Sequence, residues 1–194
     1  MTIKSVLFDW GGVLVAGGRS FSAYVEDVLG APIKDIEAFS EIRVRLNQNK
    51  ITPEAFEAEL LKLTGVAAIP EGFWVPTNVR DILPEMKHFT KDLRDQGYQT
   101  GIISNMGHTM AEAIRGVGGY DGFDPLVISC EVGLDKPMPA IYDLAVERSG
   151  YQPSEIVFVD DLASNLDYPK ELGMSVVLAT SPAQIIEEVT ALLG

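Results

Sequence analysis

The chain has 194 residues, of which 28 are Asp or Glu and 15 are Lys or Arg, giving a formal net charge of −13. That excess, with no basic run anywhere, excludes nucleic acid and anionic membrane as partners, since either demands a phosphate-neutralising surface. At 46% hydrophobic and 22% charged the composition is that of one folded domain, or a domain with a modest insertion, and the lone Cys130 rules out an internal disulfide framework and points to a reducing compartment.

In chain order, the first expected element is a strand over residues 3–8, inside an apolar run from Val6 to Val15 that follows Lys4. Asp9 interrupts that run, which disfavours a secretory signal, and no stretch reaches 18 consecutive apolar residues, so a cytoplasmic protein is expected. From 17 to 79 the apolar residues follow helical spacing. Phe21, Tyr24, Val25, Val28 and Leu29 form one set, Ile36, Phe39 and Ile42 another, and Phe56, Leu60 and Leu63 a third after Thr52-Pro53. A helical insert over 17–79 is therefore expected, with 1–16 and 80–194 forming the core domain.

Beyond the insert, short β-branched runs at 99–103, 126–129, 156–159 and 175–178 read as buried strands. Helix patterns separate them: 84–96, 109–117 and 140–149 stop at Gly97, Gly118 and Gly150, and a shorter one stops at Gly173. The last helix opens at Ser181-Pro182 with Gln184 as a capping-box partner, and carries Ile185, Ile186, Val189, Leu192 and Leu193 on one face. Strand and helix alternating in this way predict an α/β fold with a Rossmann-like parallel sheet.

Open parallel sheets bind ligands at the carboxyl ends of their strands. There the sequence has Asp9 after the first strand, Ser104-Asn105 after the second, Lys136 in the loop after the third and Asp160-Asp161 after the fourth. Three converging carboxylates need a cation among them, all-oxygen ligation suits Mg²⁺, and a metal beside Ser and Lys can hold a phosphate.

The strings Val6-Leu7-Phe8-Asp9-Trp10-Gly11-Gly12-Val13-Leu14, Ile103-Ser104-Asn105, Lys136-Pro137 and Val157-Phe158-Val159-Asp160-Asp161 resemble, in order, the four motifs of the haloacid dehalogenase (HAD) superfamily. The resemblance covers essentially the whole chain and implies that the insert is the small four-helix cap of that family. It further implies a Mg²⁺-dependent phosphatase in which Asp9 is the nucleophile that forms an aspartyl-phosphate. Ser104 and Lys136 would bind the phosphoryl oxygens. Asp161 and the Gly11 carbonyl would join Asp9 at the metal, Asp160 would support it, and Asn105 and Asn165 would orient these groups. The expected ligand is a small phosphorylated metabolite; oligomeric state is left open.

Phosphatases of this family usually carry a second Asp two residues after the nucleophile, a general acid worth roughly 10²–10⁴-fold, and here that position is Gly11. The chain is similar in this to the alpha-glucose-1-phosphate phosphatase type, and a sugar 1-phosphate, with its better leaving group, fits the loss. Two alternatives follow: a metal-independent 2-haloacid dehalogenase, disfavoured by Asp160-Asp161, and a non-catalytic HAD-fold binding protein. P-loop spacing at Gly12 and Gly17 fails because Gly18 and Arg19 occupy the Lys and Ser/Thr positions. A receiver domain would carry its acidic pair after the first strand. Elsewhere, His108 reads as an exposed helical residue and His88 as surface. Arg43 and Arg45 read as insert-surface charges, Trp10 as packing near the cap mouth, Phe73 and Trp74 as insert core, and Cys130 as a buried small hydrophobe.

Overall fold

Runs of Val, Ile and Leu too short for helices become strands, and apolar residues on both pleats bury both faces of the sheet they form. A computed structural model describes residues 2–18, 20–74 and 81–194. Its strands are β1 (Ser5–Phe8), β2 (Gln99–Ser104), β3 (Leu126–Ile128), β4 (Ile156–Asp160) and β5 (Ser175–Leu178). All pairings are parallel and the spatial order is β3-β2-β1-β4-β5. The predicted Rossmann-like α/β core is thus the observed architecture. Phe8 lies opposite Ile102 of β2 and Val159 of β4, so Asp9 and Asp160 finish at the same level. Chain direction across the sheet reverses at β1, which opens a crevice at the carboxyl edge between β1 and β4.

Helices α1 (Phe21–Leu29), α2 (Ile36–Asn47) and α3 (Pro53–Thr64) form the insert. Each starts on a side-chain cap: Ser20 accepts from the Ala23 amide, Asp35 from those of Glu37 and Ala38, and Thr52 from that of Ala55. Their inner faces make a core of their own, with Val25, Phe39, Ile42, Phe56, Leu60 and Phe73 buried and Trp74 set edge-on to Phe73 and Phe56. The described residues of the insert hold three helices, where the resemblance implied four. The expected boundary at 79/80 lies outside the described residues, as does Arg19.

After the insert come α4 (Pro84–Asp95), α5 (His108–Gly116), α6 (Ser129–Val132), α7 (Pro139–Ser149), α8 (Asp167–Leu172) and α9 (Pro182–Leu193). Period-two alternation divides the sheet between two layers. Val6, Phe8, Ile102, Val157 and Val159 join α4, α5 and α9 through Met86, Leu93, Ile114, Ile185 and Val189. Leu7, Ile103, Val127, Ile156 and Phe158 join α7 through Ile141, Tyr142 and Ala145. No helix among the described residues is long and apolar enough to cross a membrane.

Ile36 and Leu192 stand at the ends of the apolar stripes of α2 and α9, where both are exposed. Four local expectations are corrected. β5 is an edge strand and only Val177 of its residues is fully buried. Ser129 opens α6 instead of closing β3. Trp10 packs edge-on against Tyr120, with ring centroids 5.4 Å apart, in the α4/α5/α9 layer and away from the insert's core. The expected capping box at α9 is half formed: the Gln184 amide donates to Ser181 Oγ, while Gln184 Oε1 accepts from Thr180.

Candidate active site

A buried amine surrounded by carboxylates defines the site. Lys136 Nζ lies 2.8 Å from Asp9 Oδ1 and 2.6 Å from Asp160 Oδ2, and the Lys136 side chain is only 2% exposed. Phe158 closes one side, its ring centroid 5.6 Å from the amine, and Tyr142 backs that ring edge-on. Dehydration at such a place opposes charge on Lys136, but Asp9 and Asp160 outweigh it and hold the amine protonated, with its pKa above the usual lysine value. Burial pushes the Asp9 carboxyl upward; Lys136 pulls it back and Asp160 adds to the push.

Asp160 is fully buried and committed on both oxygens. Oδ2 takes Lys136, while Oδ1 accepts from the Leu162 amide and from Asn165 Nδ2, each at 2.9 Å. Asn165 is itself held by its carbonyl, which accepts from the Tyr142 hydroxyl. Asp160 and Asn165 therefore shape the turn after β4 and fix the lysine. Asp161, the next residue, is exposed, and partial dehydration together with Asp9 and Asp160 raises its pKa.

The second loop is fastened in two ways. Asn105 clamps the backbone of Lys136 reciprocally: its Nδ2 donates to the Lys136 carbonyl and its Oδ1 accepts from the Lys136 amide, both at 2.8 Å. Ser129 Oγ accepts from the Met106 amide and donates back to the Met106 carbonyl. Ser104 is buried at the end of β2, beside this clamp. Ser129 escaped the sequence reading because a serine after a strand carries no signal of a contact 23 positions away.

Gly11 and Gly12 turn the chain out of β1. Gly12 has φ +75°, and a Cβ there would fall on the Asp161 carboxylate, so this glycine is needed for close approach of the first and fourth loops. At Gly11 the backbone has no such strain and an added Cβ meets nothing within 4 Å. An open cleft of ≈ 480 Å³ lies between the insert and the start of α5, lined by Glu57, Ile69, Phe73, Trp74 and Thr109. Trp74 Nε1 donates to Glu57 there. Of the other sequence candidates, His88 is exposed against the Pro84 carbonyl, His108 opens α5, Arg43 is exposed, Arg45 pairs with Glu59 inside the insert, and Cys130 is buried.

The donor set fits a hard divalent cation. Asp9, Asp160 and Asp161 bring carboxylate oxygens within 4.8 Å of one another, with no sulfur or imidazole among them, and those of Asp160 already accept hydrogen bonds. One buried ammonium against three carboxylates leaves net negative charge, which a bound cation would offset.

A family model described as haloacid dehalogenase-like hydrolase matches residues 3–173. The chain belongs to this family. It is accordingly a hydrolase of the HAD type. It is 27% identical to D-ribitol-5-phosphate phosphatase of Bacteroides thetaiotaomicron over 99% of both chains. It is also 31% identical, over 98% of its length, to acyl-CoA dehydrogenase family member 10 of Mus musculus, of which it spans only 19%. Among solved structures, a HAD family enzyme of B. thetaiotaomicron superimposes in its magnesium complex with a TM-score of 0.76 and 25% identity over 93% of this chain and 96% of that one. The same enzyme in complex with magnesium and inorganic phosphate gives 0.74 at 24% identity, covering 92% and 96%.

Proposed function

We propose that the protein is a Mg²⁺-dependent phosphomonoesterase acting on a small polyol or sugar phosphate through an aspartyl-phosphate on Asp9. The observation that carries this reading is Lys136 Nζ bridging Asp9 and Asp160 beside Asp161 at the carboxyl edge of the sheet. Such a constellation pairs a nucleophile with fixed positive charge, which is what phosphoryl transfer requires. The named relative acting on D-ribitol 5-phosphate supports the substrate class, since it aligns end to end.

In this mechanism Asp9 Oδ attacks phosphorus and the bond from phosphorus to the ester oxygen breaks. Lys136 and Ser104 hold the non-bridging oxygens, and Asn105 keeps Lys136 in place. With glycine at position 11, the departing oxygen takes its proton from water. A second water then attacks the phosphorus of the acyl phosphate, releasing inorganic phosphate and restoring the Asp9 carboxylate. Asp9, Asp161 and the Gly11 carbonyl would hold Mg²⁺, with Asp160 supporting; bound there, the ion supplies charge neutralisation for the phosphoryl group. Helices α1–α3 act as a cap, and the cleft lined by Glu57, Phe73, Trp74 and Thr109 receives the leaving group. Aromatic rings beside a carboxylate suit a hydroxyl-rich group.

The test is phosphate release from D-ribitol 5-phosphate, glyceraldehyde 3-phosphate and glucose 1-phosphate, with and without Mg²⁺. Turnover that needs Mg²⁺ and disappears in Asp9→Asn supports the proposal; release surviving Asp9→Asn, or none from any ester, refutes it.

A further inference from the structure

We infer that Gln48, at the end of α2, is a positioning residue that locks the insert onto the loop carrying Lys136. The inference rests on the proposed role of Lys136 as the phosphate-binding cation. Gln48 caps α2 and is 6% exposed, and Asn49 directly after it adopts φ 54°, so the chain turns away from the core while the glutamine side chain stays in. Gln48 Nε2 donates to Asp135 Oδ1 at 2.5 Å and approaches Met138 Sδ at 3.1 Å. Asp135 is 4% exposed, and its carbonyl accepts from the Met138 amide, closing the turn in which Lys136 sits.

Lys136 is thus held from two directions. Asn105 grips its backbone from the sheet, and Gln48 grips its neighbour Asp135 from the insert. The contact joins residues 87 positions apart and belongs to neither the helical core of the insert nor the apolar layers of the sheet. A buried carboxylate deprived of its donor carries the full cost of its lost hydration, so the loop must move to recover a partner. Movement there shifts the Lys136 ammonium relative to Asp9. Seating of the insert and alignment of the phosphate site are in this way one event.

Gln48→Glu sets a carboxylate against Asp135, and adding Asp135→Asn returns a donor that Glu can accept from, so the pair tests itself. Expected in Gln48→Glu is amide hydrogen exchange over residues 133–138 faster by about tenfold, with recovery to within about threefold of the parent in the double variant. Phosphatase kcat/KM should fall and recover in parallel, with kcat carrying most of the loss. Gln48→Met, which keeps volume and drops the donor, should give a smaller increase in exchange. Unchanged exchange in Gln48→Glu and Gln48→Met, or no recovery on adding Asp135→Asn, overturns the inference. A parent protein without phosphatase activity would instead fail the functional proposal, and the exchange result would still decide the role of Gln48.

Discussion

Replacing Lys136 by Met keeps the stem and removes the ammonium that bridges Asp9 and Asp160. At 2.8 and 2.6 Å the two pairs each carry a gross attraction of about 6 kcal/mol at an effective dielectric near 20. Most of that repays dehydration, since Asp160 is fully buried and Asp9 only 13% exposed. The net loss on deleting one partner of a buried pair is about 3–5 kcal/mol, because the carboxylates left behind cannot regain water. For a chain of this length about 1 kcal/mol moves Tm by roughly 2–4 °C, so Lys136→Met should melt roughly 6–20 °C lower in metal-free buffer. The sign with pH is fixed too. Burial already raises the Asp9 pKa, and loss of Lys136 raises it further, so the folded variant binds a proton where the unfolded chain does not. Its deficit should therefore be largest near about pH 8 and shrink toward about pH 5, as the proton takes the place of the ammonium. Added Mg²⁺ should also narrow the gap. Circular dichroism melts of both proteins, with chelator and with Mg²⁺, measure all three effects. A Tm within about 2 °C of the parent, or a gap that widens in acid, would refute the reasoning.

Gly11→Asp should fold, because the backbone there is unstrained and a Cβ meets nothing within 4 Å. It should raise kcat on an alkyl phosphate by at least about tenfold while leaving an aryl phosphate nearly unchanged, since only the poorer leaving group needs a proton donor. An equal effect on both esters would show that the new carboxylate is not acting as an acid. Burial, with Glu131 adding to it, pushes the Cys130 thiol up to about 11. It should stay protonated at about pH 8, silent toward a disulfide reagent in the native protein and reactive after denaturation; prompt native labelling would contradict its burial.

The core of the fold was legible because it is written in local periodicities. Phe8, Val159 and Ile102 alternate with Leu7, Phe158 and Ile103, and each of β1 to β4 is followed directly by a polar residue at the same sheet edge. Glycines at helix ends supplied most of the stops: Gly150 and Gly173 both adopt the left-handed conformation just past α7 and α8. Periodicity does not show where the packing of a stripe ends. Ile36 continues the apolar stripe of α2 at its first residue, but the stripe's core begins at Phe39, so Ile36 faces solvent. Trp10 adjoins the expected nucleophile in sequence, yet its ring turns to Tyr120 because successive side chains leaving β1 point to opposite faces.

At the site, legibility divides by whether a residue acts through its own chemistry or through its reach. Asp9, Ser104, Asp160 and Asp161 are titratable or nucleophilic groups at strand ends and Lys136 lies in the loop beyond β3, so their types and order were enough to nominate them. Ser129, Gln48 and Asp135 have ordinary types at ordinary positions, and what they do depends on contacts 23 and 87 residues away. Asp160 lies between the two. As an acid beside another acid it reads as a ligand, whereas in the structure one oxygen takes Lys136 and the other takes Asn165 and the Leu162 amide. A carboxylate saturated by three donors has less charge to share with a cation than Asp161, which is exposed and whose pKa is raised by partial dehydration and then by its acidic neighbours. The acidic pair is therefore divided: the buried member fixes Lys136 and the turn after β4, and the exposed one is the member that the proposed metal site would use.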